Sequence, residues 1–294
     1  MLKKRSTSQV IFDICNVLFM LVLMVVMFYP LWYVFCGSLS NSSQLVGYRG
    51  ILYKPLGFNL SAYKTVFKNT LLLKSFGNTI FIVVVGTFVN LVMTYICAYV
   101  LSRRNVYWNK LFSKLIIFTM FFGGGLIPTY LLVATTLHLR NSYLALILPN
   151  AISVYNMLIM RTSFMAIPES IEESARIDGA SHWCVLTKII LPLSKAIVAV
   201  MILYYGVAQW NAWFDASIYI KDRAKFPLQL ILREILIANE TSSMMQDVSS
   251  ADQEGVGETI KYAIIIFSVV PILFVYPYLQ KYFVQGVMIG AVKG

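Results

Sequence analysis

Six long apolar runs, separated by polar connections, set the hydropathy pattern of the chain. Each run is long enough to cross the hydrocarbon core of a bilayer as an α-helix. A shorter amphipathic segment, 59–68, predicts an interfacial helix. The fold class that follows is an all-α integral membrane protein with six transmembrane helices, predicted at about 14–35, 79–101, 115–133, 143–165, 194–218 and 261–281.

Helix-breaking residues interrupt the third and fourth predicted spans, and Pro271 and Pro277 lie inside the sixth. The third contains Gly123-Gly124-Gly125 followed by Pro128, so its helix is predicted to be broken or bent. Pro149-Asn150 interrupts the fourth. Irregular backbone at membrane depth is tolerated only against protein or a water-filled cavity, which makes the third span a candidate neighbour of a solute pathway. Plain helix packing through small residues is the alternative.

Composition agrees with a membrane location and excludes other classes. With 59% hydrophobic and 13% charged residues in 294, the chain is too apolar for a soluble domain. The net charge of +11 could suit nucleic acid, but the Lys and Arg residues are scattered and form no basic face. Arg103, Arg104, Lys110 and Lys114 predict that the connection after the second span lies in the cytosol. Six spans then place both termini in the cytosol.

Residues with catalytic or metal-binding chemistry are sparse. The cysteines and histidines are far apart and form no metal or disulfide pattern. The sequence has no phosphate loop of the G-x-x-x-x-G-K-[ST] type and no Ser-His-Asp arrangement. Asp13 and Asp215 lie near span ends, so proton-coupled transport has no obvious buried carrier. We therefore predict a chain that is not an enzyme and holds no metal or cofactor.

The acidic residues are concentrated in the stretch 169–192. Asp13 is the one carboxylate before it, whereas Glu169, Glu172, Glu173 and Asp178 fall within ten residues. Four charges at the centre of a bilayer would cost about 10 kcal/mol on insertion scales. This stretch is therefore predicted to lie outside the lipid, on the cytosolic side.

Local signals in this stretch predict two short helices with a break between them. Pro168 suits a first helical position. Glu172 and Arg176 are four residues apart and predict a surface ion pair. Gly179 is placed to end the first helix in a left-handed conformation, and Ser181 is placed to cap the second.

One face of the first predicted helix carries Ile171, Ser174 and Ala175. Small side chains at its centre suit close approach by another protein. A solvated loop without a partner is the alternative.

The spacing within 173–192 resembles the EAA loop of ABC-importer permeases. That loop has the pattern EAA, three residues, G, nine residues, I, one residue, LP, and here Ser174 is the one departure. Asp178-Gly179-Ala180, the segment QWNAWF at 209–214 and the tail KYFVQGVMIGAVKG resemble carbohydrate-uptake permeases of the maltose type. The resemblance covers nearly the whole chain and implies the type I ABC importer permease fold.

The resemblance also implies function, partners and location. It implies a bacterial plasma membrane protein that forms half of an oligosaccharide pathway, with a second permease, a cytosolic ATPase dimer that binds ATP and Mg, and an extracytoplasmic solute-binding protein. A single permease domain, 14–294, would follow a cytosolic N-terminus, 1–13, and would include the EAA loop, 166–192, and a cytosolic tail, 280–294. The implied ATPase-coupling residues are Glu173, Ser174, Ala175, Asp178, Gly179, Ile189, Leu191 and Pro192.

Aromatic and amide side chains in the fourth and fifth predicted spans could contact a sugar, because sugar rings stack and hydroxyls form hydrogen bonds. An aromatic belt at the membrane interface is the alternative. In the maltose system the partner permease grips most of the sugar. An ion-driven secondary transporter and a noncatalytic membrane scaffold are the alternative functions. The candidate pathway residues are Asn150, Tyr155, Asn156, Gln209, Trp210 and Asn211.

Overall fold

A computed structural model describes residues 7–103, 105–238 and 253–291. The protein is all-helical, with 78% helix and no strand in these ranges, as the sequence predicts. The α-helices of the described ranges are α1 (Thr7–Ser38), α2 (Ser42–Val46), α3 (Ser61–Lys68), α4 (Thr70–Ser102), α5 (Asn109–Phe121), α6 (Leu126–Leu131), α7 (Leu144–Ile147), α8 (Val154–Met165), α9 (Glu169–Ile177), α10 (His182–Cys184), α11 (Leu191–Leu193), α12 (Lys195–Asn211), α13 (Phe214–Tyr219), α14 (Leu228–Ala238) and α15 (Gln253–Ala291). Two π-helical turns, Leu132–Thr136 and Val185–Ile190, and a 3₁₀ turn, Arg223–Lys225, complete the set.

Among the described residues, three helices are long and apolar enough to cross a membrane by themselves: Thr7–Ser38, Thr70–Ser102 and Val256–Tyr278. Two bent pairs raise the number to five if each pair is one span: Asn109–Phe121 with Leu126–Thr136, and His182–Leu193 with Lys195–Asn211. The predicted fourth span consists of two short helices, α7 and α8, which do not reach that length. The chain is therefore a multi-pass membrane protein, and the count of six spans stays a prediction.

The sharpest bends have local causes. The two parts of the third predicted span meet at 111°, which confirms the break expected at its glycines. Gly125 has a φ of +87°, a conformation that side chains with a Cβ rarely adopt. A second bend, of 84°, lies at Ser194, which is buried and donates its hydroxyl to the carbonyl of Ile190 at 2.6 Å. The Ile190 carbonyl also accepts the backbone amide of Ser194 at 2.9 Å, so a side chain inserted into the helical hydrogen-bond pattern accompanies the bend.

The chain divides into two compact units, and residues 1–70 with 234–269 form the first. Its apolar core contains Cys36, Leu45 and Leu52, which lie against Tyr262. A Cβ on Gly37 would lie 2.7 Å from the Tyr262 ring, so only glycine allows this approach. The most apolar part of α1 has no buried residue, as expected for a helix that faces lipid or another subunit.

Residues 71–233 with 270–294 form the second unit, which has two apolar clusters. One joins α4, α8, the π turn at 185–190 and α12, with Phe164, Ile190 and Met201 fully buried. The other joins α4, α7, α13 and α14. Thr79 fixes the start of α14, because its hydroxyl accepts the amide N–H of Leu228 at 2.7 Å. This second unit holds every sequence-predicted coupling and pathway residue.

Candidate functional site

The acidic stretch folds as the sequence predicts in its main features. Helix α9 ends with Gly179 at a φ of +80°. The amide of Gly179 donates to the carbonyl of Arg176 at 3.0 Å, and the amide of Ala180 donates to that of Ala175 at 2.9 Å. These two bonds form a Schellman motif, which satisfies the last carbonyls of the helix. Pro168 differs from expectation: it precedes the first helical residue with an extended backbone instead of occupying it.

One side of α9 faces the protein and carries a buried carboxylate. Glu172 is 4% exposed and contacts the guanidinium of Arg103 directly. Its second carboxylate oxygen lies 4.0 Å from the Arg176 guanidinium. The predicted surface pair of Glu172 and Arg176 is therefore wrong as a surface feature, because the main partner of Glu172 is an arginine from the end of α4. Spacing along one helix could not identify that partner.

The opposite side of α9 is exposed and presents an apolar side chain in its last turn, on the same face as two serines. Ser170, Glu173 and Ser174 are exposed, and Ile177 is 86% exposed. Ala175 is half-buried and packs against the apolar cluster, so the available small-residue face is formed by the two serines rather than by Ala175. Sequence reasoning missed Ile177, although an isolated isoleucine among charged residues was a visible signal.

Ser181 caps the second half of the stretch, as predicted, by accepting the amide of Cys184 at 3.3 Å. The chain then forms the π turn at 185–190 instead of continuing as a regular α-helix. The Tyr95 hydroxyl donates to the carbonyl of Leu186 at 3.1 Å, which ties this turn to α4. Among the remaining predicted coupling residues, Asp178, Leu191 and Pro192 are exposed and Ile189 is half-buried against the apolar cluster.

A chain of polar side chains crosses the second unit away from α9. The Gln209 amide donates to the side-chain oxygen of Asn90 at 3.2 Å, and Asn90 donates to the carbonyl of Asn150 at 2.5 Å. The Asn150 side chain donates to the Asp215 carboxylate at 2.7 Å. These bonds connect four segments: helix α4, helix α12, helix α13 and the link that joins α7 to α8. We call these four residues, Asn90, Asn150, Gln209 and Asp215, the polar chain.

A small cavity of about 30 Å³ lies beside the polar chain and is lined by Asn150, Gln209, Asp215 and Ala212, among others. A water molecule needs about 10–15 Å³, so the cavity has room for water but is too small for a sugar ring. In this conformation the polar chain therefore closes the space between its segments. Burial, with a smaller contribution from the nearby Asp215 carboxylate, raises the pKa of Tyr219 and keeps its hydroxyl protonated.

The structure does not bring the other predicted pathway residues to this cavity. Trp210 lines a separate apolar cavity of about 400 Å³ between α4, α12 and α15. Tyr155 and Asn211 are exposed, and Asn211 donates to the carbonyl of Val207 at 3.0 Å. Asn156 is buried in the first turn of α8, where its amide donates to the Ser153 hydroxyl at 3.4 Å.

Two members of the polar chain were not among the predicted pathway residues. Asn90 is a polar residue within an apolar run, and such a position by itself indicates function in a membrane protein. Asp215 follows the Trp213-Phe214 pair, and the sequence predicts that it lies near the end of the fifth span. Within the ranges that the structure describes, no group of three or more His, Cys, Asp or Glu side chains is placed to hold a metal ion.

Comparisons with known proteins agree on one family. The chain is 43% identical over 288 residues to protein LplC of Bacillus subtilis, covering 97% of this chain and 95% of that protein. It is 39% identical over 289 residues to the polygalacturonan/rhamnogalacturonan transport system permease protein YtcP of the same organism, covering 97% and 99%. No protein-family model matches the chain.

A solved structure shows the same fold. It is a bacterial ABC transporter involved in the import of the acidic polysaccharide alginate, and it matches with a TM-score of 0.86 and 31% identity. The match covers 96% of this chain and 99% of that one. More distant relatives include the arabinooligosaccharides transport system permease protein AraQ of Bacillus subtilis, at 24% identity over 295 residues, covering 99% of each chain.

Proposed function

Because the chain belongs to the carbohydrate-uptake family of ABC importer permeases, we propose that it is one of two permease subunits that together form an oligosaccharide pathway. It would adopt the six-span type I fold in a bacterial plasma membrane, with both termini in the cytosol. ATP and Mg would bind to a separate ATPase dimer. A solute-binding protein would deliver the sugar from outside the cell.

The observation that carries this proposal is the exposed side of α9. This short helix presents Ile177, 86% exposed, in its last turn and on the same face as Ser170 and Ser174. A large apolar side chain beside small ones suits insertion into a groove of another protein. We infer that α9 is the coupling helix that docks on the ATPase, with Ile177 as its apolar anchor and Glu173 as its charged contact.

The polar chain supports a pathway role for Asn150 and Gln209. Asn90 and Gln209 are buried polar groups, which are costly in a membrane unless they are hydrogen-bonded, whereas Asn150 is exposed and Asp215 is half-buried. Amides and carboxylates are the groups that exchange hydrogen bonds with sugar hydroxyls. In the conformation described they bond to each other and leave room for water alone. We infer that these bonds break when α4, α12 and α13 separate, and that the released groups then face the passing sugar.

The substrate class follows from the relatives named above, which handle polygalacturonan, rhamnogalacturonan or arabinooligosaccharides, and from the alginate importer. We propose a plant- or microbe-derived oligosaccharide for this chain. The test is reconstitution of the chain with its second permease, ATPase and solute-binding protein in lipid vesicles. ATP hydrolysis that rises when binding protein and a pectin-derived oligosaccharide are added supports the proposal, and hydrolysis that never depends on the binding protein contradicts it.

A further inference from the structure

A buried ion pair connects the proposed coupling helix to a membrane-spanning helix. Arg103 directly follows the last residue of α4, and Glu172 lies in the first turns of α9. Their side chains are 10% and 5% exposed and are in direct contact. Glu172 therefore takes no part in the exposed side of α9, although Glu173 beside it does.

The surroundings of Arg103 fix it in place. Its guanidinium lies over the Tyr99 ring, 4.7 Å from the ring centre. Its backbone carbonyl accepts the side-chain amide of Asn109 at 2.5 Å, which ties the end of α4 to the start of α5. The guanidinium Nε of Arg161 donates to the carbonyl of Leu101 at 2.9 Å, which ties the same end to α8. The C-terminal end of α4, which carries the partner of Glu172, is therefore bonded to both α5 and α8.

A buried ion pair is a poor device for stability alone. Removing two charges from water costs about as much as their attraction returns, and an apolar pair of similar size often stabilises a protein as well or better. Separating a buried pair is different, because each ion is then left without a partner in a medium that cannot solvate it. Such a contact resists being pulled apart and transmits a displacement from one helix to the other.

We propose that Arg103 and Glu172 are positioning residues whose ion pair transmits movement of the coupling helix to the pathway. When α9 moves with the ATPase, Glu172 pulls the end of α4 through Arg103, and α4 carries Asn90 of the polar chain. The pair thereby keeps ATP hydrolysis and solute movement in step. This inference rests on the proposed function of α9 as the coupling helix.

A purely structural role would give different results, and three variants of the reconstituted complex separate the two. Glu172→Gln leaves Arg103 buried without its charged partner. Arg103→Gln with Glu172→Gln removes both charges and leaves two amide side chains that can form a hydrogen bond to each other, so that no unpaired charge is buried. Arg103→Glu with Glu172→Arg restores the attraction in the reverse direction. Glu169→Gln, the same change at the exposed first residue of α9, is the matched control.

The measurements are ATPase co-purification and the number of oligosaccharides transported per ATP hydrolysed. We expect Glu172→Gln and the double Gln variant to retain the ATPase but to transport about tenfold less solute per ATP, a loss within the usual range of coupling between sites. The reversed pair should recover most of that ratio. Glu169→Gln should retain both the ATPase and the wild-type number of oligosaccharides transported per ATP.

Two results would overturn the inference in distinguishable ways. A wild-type ratio in the double Gln variant would show that the pair serves folding alone, while the proposed function stands. A wild-type complex whose ATP hydrolysis is independent of solute-binding protein would overturn the proposed function. The coupling role of the Arg103–Glu172 pair would then fall as well.

Discussion

The side-chain amide of Asn150 donates a 2.7 Å hydrogen bond to the carboxylate of Asp215, 65 residues further along the chain. This bond closes the polar chain across the link between α7 and α8 and the start of α13. Because this bond is exposed to solvent, it contributes about 0.5–1.5 kcal/mol, a shift of up to about tenfold in a two-state equilibrium. The bond is therefore strong enough to hold one conformation of the pathway and weak enough to be released.

Replacing Asp215 with alanine should open the cavity beside the polar chain. Ala216 lines that cavity and is 2% exposed, so a cysteine at 216 reports its accessibility. We expect Asp215→Ala to raise the rate of maleimide labelling at 216 by about tenfold, since the lost bond favoured the closed arrangement. Ser217→Ala is the matched control, because its hydroxyl bonds to the carbonyl of Phe214 in the same helix. Equal labelling rates in both variants would show that the bond does not close the cavity.

Two glycines of α4 should respond differently to alanine. A Cβ on Gly86 would lie 3.0 Å from the amide nitrogen of Gln209, whereas a Cβ on Gly77 meets nothing within 4 Å. Both changes gain helix propensity of up to about 1 kcal/mol. We expect Gly77→Ala to preserve uptake and thermal stability, and Gly86→Ala to reduce uptake because it displaces Gln209 from Asn90. Equal uptake by the two variants would show that the position of Gln209 does not affect transport.

The conformation of Gly179, rather than its size, should limit substitution there. A Cβ at this position meets nothing within 4 Å, but the φ of +80° costs most side chains about 1–2 kcal/mol. Asparagine tolerates this region better than a β-branched residue does. We therefore expect Gly179→Asn to retain ATPase co-purification and uptake, and Gly179→Val to lose both while still inserting into the membrane. Normal uptake by the valine variant would refute the assigned turn.

Tyr205 should contribute more to stability than its neighbour Tyr204. The Tyr205 hydroxyl contacts the Thr94 hydroxyl at 2.6 Å and accepts the amide of Ser153 at 3.1 Å. Tyr205→Phe leaves these buried groups without a partner, which costs about 1–3 kcal/mol. The thermal midpoint in detergent should fall for Tyr205→Phe and stay near wild type for Tyr204→Phe. A similar midpoint for both variants would show that water replaces the lost hydroxyl.

The features that sequence predicts well are those with local causes. The left-handed Gly179, the cap by Ser181 and the break at Gly123-Gly124-Gly125 depend on a few adjacent residues, and all three are confirmed. The membrane location follows from composition. The roles of the predicted coupling residues stay predictions.

The remaining features depend on contacts between distant parts of the chain. Glu172 was expected at the surface because its i+4 neighbour was visible in sequence, whereas Arg103 is its main partner in space. Trp210 and Gln209 are adjacent in sequence but face different cavities, because successive side chains of an α-helix point about 100° apart. Neither helix rotation nor packing partners can be derived from residue spacing alone.

Site-directed cross-linking shows whether α9 docks on the ATPase through Ile177. All four native cysteines would first be replaced by serine, and a single cysteine placed at Ile177 or, as the control, at the exposed Tyr53. We expect Ile177→Cys to cross-link to cysteines lining the groove of the ATPase, and Tyr53→Cys not to do so. Cross-linking of the ATPase from Tyr53→Cys and none from Ile177→Cys would contradict this docking.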